Sequence, residues 1–121
     1  MTIALWILNG VLALVFVASG GTKLARSKEA IVAGGMRFAE DLTEPIIKLL
    51  GVAEIVGAVG LIVPLLTGIA PFLTPIAAAA LAVLMIGAGV VHVRRKEPSV
   101  VPFVLGALSV VSAALGSLVI F

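Results

Sequence analysis

The chain has 121 residues, room for one domain; it is 62% hydrophobic, 12% charged and carries a net charge of +2, against roughly 25% charged residues in an average soluble domain. That balance suits a lipid bilayer and excludes a soluble enzyme or a nucleic-acid binder. No cysteine is present, so disulfide, thiolate-metal and dithiol redox chemistry are excluded within this chain.

Met1 to Thr22, Ile55 to Val91 and Pro98 to Phe121 hold no Asp, Glu, Lys or Arg, and a spanning helix needs about 20 apolar residues. The first run predicts a span over 2–21. Small residues at Ala18 to Gly20 resemble a leader cleavage site, but Lys23 and Arg26 follow the apolar stretch instead of preceding it. That order reads as a retained span. The next segment has helical periodicity: Ile31, Gly35, Phe38 and Leu42 recur on one face with Val32, Met36 and Ala39 beside them, and Arg37, Glu40, Asp41 and Glu44 lie opposite. This predicts an amphipathic interfacial helix over about 29–43, weakened by Gly34 and Gly35.

Two spans plus a turn need about 45 residues, more than the run from Ile55 to Val91 supplies. The second span therefore starts near Pro45, a residue suited to a first helical turn, with Thr43 as a cap. Spans are predicted over 46–65, 71–91 and 100–121, with Pro64, Thr67, Gly68 and Pro71 marking the turn between the second and third and Ser99 capping the fourth. Gly106, Ser109, Ala113 and Gly116, and likewise Ala53, Gly57 and Gly60, form small-residue stripes for close helix packing. The fold expected is an all-α integral membrane four-helix bundle, one transmembrane domain over 1–121.

Lys23, Arg26, Lys28, Arg37 and Lys48 flank the first connection, and Arg94, Arg95 and Lys96 the third; these are all eight basic residues. The asymmetry predicts both basic connections in the cytoplasm and both termini outside.

This span assignment forces Glu54 into the membrane, six positions past Lys48 and so about 9 Å deep. A carboxylate there costs several kcal/mol and has to face the bundle interior, take a partner or carry a proton. Lys23 ends the first span and His92 the third, both on the same side as Glu54. Glu54, Lys23 and His92 are thus the candidate site, either as a buried ion pair that sets helix register or as the polar floor of a ligand cavity. Asn9, Ser19 and Thr74 are read as bonds to neighbouring helix backbones. A single histidine excludes bis-histidine haem ligation from this chain, and no metal site, phosphate loop, nucleotide-binding glycine pattern or nucleophile elbow is present.

Phe16 to Leu24 with Lys23, Gly51 to Pro64 with Glu54 and then Thr67-Gly68, and Met85 to His92 together resemble the DoxX-like family of small bacterial membrane proteins. The resemblance covers about Leu14 to Glu97. It implies a four-helix bundle in a bacterial plasma membrane and places Lys23, Glu54 and His92 in the family's polar signature. It also implies kinship with membrane components of thiosulfate:quinone oxidoreduction and of oxidative-stress and thiol systems, while the absence of cysteine moves any redox role to a partner or a bound quinone.

The function expected is an accessory or ligand-binding membrane component of a redox or stress pathway that holds a quinone or lipid near Glu54. The partners expected are membrane lipid and either a redox protein or further copies of the chain, with no nucleic acid. The competing readings are an enzyme with Glu54 as acid/base and His92 as second group, a small proton-coupled transporter, and a structural assembly subunit.

Overall fold

Pro45, Gly68 and Pro98 stand where the chain turns, and the apolar runs between those turns are helical. The structure, a computed structural model, describes residues 2–35 and 37–121. In order they form α1 (Thr2–Ala25), α2 (Lys28–Ala33), a 3-10 helix (Arg37–Asp41), α3 (Glu44–Thr67), α4 (Leu73–Arg94) and α5 (Val100–Ile120). α1, α3, α4 and α5 are each long and apolar enough to cross a membrane, and the chain is a multi-pass membrane protein built as an all-α four-helix bundle.

The bundle is a ring in which α1 packs on α3, α3 on α4, α4 on α5 and α5 on α1. Successive long helices run antiparallel. Lys23 near the end of α1 meets Glu54 in the first half of α3, while Asn9 near the start of α1 meets Leu61 further along α3. Pro75 in the first turn of α4 lies against Gly116 near the end of α5. Large aliphatic side chains point outward all around, among them Ile3, Val56, Val83 and Leu118, as expected when the solvent is lipid and not water.

Inside, each helix presents one narrow face. On α1 it is Leu5, Asn9, Leu12, Phe16, Gly20 and Lys23, at the three-four spacing that keeps residues on one side of a helix. Phe16, Leu12, Leu61, Leu81 and Met85 supply most of the apolar core. Close approach is set by glycine: a Cβ on Gly20 would stand 2.7 Å from the Gly51 carbonyl oxygen, and one on Gly51 would stand 2.9 Å from that of Gly20. α1 and α3 are thus in backbone contact where the candidate site begins. On α5 the buried small residues are Pro102, Gly106, Ser109, Ser112 and Gly116, so Ser112 takes the inward place expected of half-buried Ala113. On α3, Gly57 and Gly60 pack against Leu81 and Ala77 of α4, whereas Ala53 is exposed.

Pro64 does not mark the turn; it lies inside α3, which continues to Thr67 and closes on Gly68 at φ 71°. A proline within a helix leaves the carbonyl four residues earlier without its N–H donor. Here that is Gly60, and the Thr74 hydroxyl of α4 donates to it at 3.0 Å. Thr43 and Ser99 occupy the N-cap positions of α3 and α5, but neither side chain makes a capping bond.

The expected continuous helix over 29–43 is instead two short pieces. Ser27 caps α2 by accepting from the Ala30 N–H at 3.3 Å, and the helix stops at Gly34, followed by Gly35 at φ 111°, a conformation that glycine adopts without steric cost. The 3-10 helix follows. Ile31 and Ala39 pack on Ile47 of α3, with Val32 and Leu42 against them, so this connection caps the basic end of the bundle. The expectations for Met36, and for the side chains of Phe38 and Asp41, lie outside the described residues.

Candidate functional site

The Gly20–Gly51 contact brings the next turn of each helix together, and that turn carries the charges. Lys23 Nζ donates to Glu54 Oε1 at 2.6 Å and to Ser19 Oγ at 2.9 Å. Lys23 is 6% exposed and Glu54 2%, so the pair is withdrawn from solvent on both sides. Ser19 is four residues before Lys23 on the same helix face, a spacing that was available in the sequence. The expectation that Ser19 bonds a neighbouring backbone is replaced by a bond to the lysine.

Glu54 Oε2 is buried and has no hydrogen-bond donor among the described residues. Buried polar atoms nearly always find partners, and one that lacks a partner calls for an explanation. Lys48, read only as a topology signal, performs a local task as well: its ammonium donates to the carbonyls of Lys23 at 2.7 Å, Leu24 at 3.2 Å and also Arg26. The last carbonyls of α1 lack intrahelical donors, and a cation is favourable at that end of the helix dipole. Lys48 thereby pins the end of α1, and with it Lys23, to α3.

Next to the ion pair is a half-open cavity of about 790 Å³, within the range of small-molecule sites. Ser19, Lys23, Glu54 and His92 form its polar wall, and aliphatic residues such as Leu50, Leu84, Val91 and Leu105 form the rest. The two arrangements that the sequence left as alternatives, an ion pair and a cavity wall, occur together. Ile46, Val83 and Val101 line the cavity and are also exposed on the outside of the bundle, so it opens sideways between helices. His92 stands on the same wall, its Nδ1 2.7 Å from the Ala88 carbonyl of its own helix. A carbonyl can only accept, so Nδ1 carries the hydrogen and the ring is oriented by its own backbone.

Gly35 and Leu42 of the first connection and Pro98 of the last reach the cavity from the basic end. Arg95 joins those connections, 2.8 Å from Glu97 and 3.8 Å from Glu40. Among the described residues no group of three or more His, Asp and Glu is close enough together to hold a metal ion.

The far half of the bundle has a different polar layer. The Asn9 side chain donates to the Leu61 carbonyl at 3.0 Å and accepts from the Ser112 hydroxyl, while Thr74 serves Gly60. All three side chains are fully buried. Asn9 and Thr74 bond neighbouring helix backbones as expected, and the Asn9–Ser112 link, across 103 positions of sequence, had no local signal.

No curated protein and no solved structure matches the chain significantly. One family model does match, over residues 7–114, a stretch that includes Lys23, Glu54, His92 and the whole cavity wall, and by that match the chain belongs to the DoxX-like family.

Proposed function

We propose that this membrane protein binds an uncharged lipophile, a quinone or a lipid, in the cavity beside Glu54, as an accessory component of a redox or stress pathway. The observation that carries the reading is the pairing of a sideways-opening apolar cavity with a buried Lys23–Glu54 pair on its wall. A bundle that needed only a register lock would also fill the space beside such a pair, because empty space forfeits packing contacts. The mouth between Ile46, Val83 and Val101 lies on the apolar outer surface, so a ligand would enter from the bilayer. Partner proteins or further copies of the chain would supply any electron transfer.

Native mass spectrometry of protein purified without delipidation tests this. A retained lipophile is expected in the wild type, and it should be lost when Ala88→Phe places a ring in the cavity beside its polar wall. A wild-type spectrum without adduct, or an adduct equally retained by Ala88→Phe, overturns the reading.

In the same proposal the basic end faces the cytoplasm and both termini lie outside. Every Lys, Arg, Asp and Glu lies in or near the connections at one end of the bundle or, like Glu54, in the half adjoining it, the asymmetry that orients membrane helices. A reporter fused at Phe121 should be active outside the cytoplasm; activity confined to the cytoplasm reverses the orientation.

A further inference from the structure

The cavity wall carries a chemical preference, and this step rests on the reading that a lipophile binds there. Glu54 is 2% exposed; Oε1 is 2.6 Å from the Lys23 ammonium, while Oε2 is buried with no donor among the described residues. As the partner of an ammonium, Glu54 is a carboxylate, which accepts hydrogen bonds and donates none. Its complement is therefore a donor.

We infer that the cavity selects a lipophile whose head group is a hydroxyl, such as a phenol, a quinol or a fatty alcohol, with the O–H donating to Glu54 Oε2. Three observations converge on this class. The bulk of the lining is aliphatic, which suits a hydrocarbon body. The orphan atom is an anion's oxygen, and hydrogen bonds to charged groups are the stronger kind. An anionic head group would bring like charge against that oxygen, and a head group with acceptors alone, such as a ketone, an ether or an oxidised quinone, would leave it unsatisfied. A site with a buried unpaired acceptor discriminates against analogues that lack the donor more sharply than an apolar pocket discriminates by size.

The matched probes are a long-chain alkylphenol and its methyl ether, which share a hydrocarbon body and differ in the donor. Each is titrated, as mole fraction in detergent micelles, against the purified protein while thermal unfolding is followed, since a ligand of the folded state raises the midpoint in proportion to its occupancy. The phenol should half-saturate the wild type at a mole fraction about 10- to 100-fold lower than the ether. In Glu54→Gln, whose amide can also donate, that ratio should collapse toward one. If this variant does not fold, the Lys23→Met/Glu54→Gln double variant, which carries no stranded charge, should show the same collapse.

Equal half-saturation of the wild type by phenol and ether overturns the hydroxyl selectivity and leaves lipophile binding intact. A phenol preference that survives in the Gln variants places the acceptor elsewhere and overturns the role of Glu54. A wild type stabilised by neither probe overturns the binding reading and the selectivity with it.

Discussion

At one end of the bundle Asn9, Ser112 and Thr74 are neutral and fully buried, and each is hydrogen-bonded to another helix. Toward the other end Lys23 and Glu54 form an ion pair that is also buried, and one carboxylate oxygen has no donor among the described residues, beside a cavity. Both layers join α1 to α3. Fastening two helices in a membrane needs no charge, as the first layer shows, and interhelical hydrogen bonds average about 0.6 kcal/mol each. A charged pair adds a desolvation cost that a neutral pair avoids. The charged layer therefore departs from what fastening requires, and it does so where the interior is open.

The largest effect that can test this contrast is removal of one charge. Lys23→Met strands a buried carboxylate and is expected to destabilise the bundle by about 3 kcal/mol in detergent unfolding. The Lys23→Met/Glu54→Gln double variant should recover most of that loss. Losses that simply add would show that the two charges do not stabilise one another. Gly20→Ala comes next, at about 2 kcal/mol, because its Cβ meets the Gly51 carbonyl at 2.7 Å and backbone has to move. The same variant should weaken lipophile retention, since it pushes the turn bearing Lys23 away from α3; unchanged retention would separate the packing from the site.

Asn9→Ala removes two hydrogen bonds in the neutral layer, at an expected cost of about 1 to 2 kcal/mol, and should leave lipophile retention as in the wild type. Loss of retention in this variant would break the division between a fastening layer and a binding layer. Smallest is Thr74→Val, about 0.6 kcal/mol, and it comes with an internal control. Pro64→Ala restores an N–H four residues after Gly60, so Thr74→Val should cost less in that background. An equal cost in both backgrounds would mean that the hydroxyl does not substitute for the missing helical donor.

Much of this was legible in the sequence because lipid imposes simple arithmetic. The charge-free runs and the shortage of residues between Ile55 and Val91 place four helices and put Glu54 in the membrane, with Lys23 at the end of the first span on the same side. What the arithmetic could not supply was geometry that depends on contacts between distant segments. The Asn9–Ser112 bond, the Gly20–Gly51 approach and the cavity depend on how helices rotate about their axes. Pro64 was misread as a turn because the substitute donor, Thr74, lies on another helix. The connection after α1 was misread as one helix because apolar periodicity carries on through Gly34–Gly35, where the backbone turns to a positive φ at Gly35.

The bond from Thr74 to the Gly60 carbonyl also bears on how the chain enters a bilayer. Hydrocarbon offers nothing to a bare carbonyl, so α3 on its own would carry an unmet acceptor past its midpoint. The group that meets it is only ten residues beyond Pro64, just across the turn at Gly68. α3 and α4 are thus the smallest stretch whose backbone requirements at this proline are met internally. The pair should therefore insert as a hairpin, with α3 alone inserting less efficiently in a translocation assay and Pro64→Ala removing that handicap.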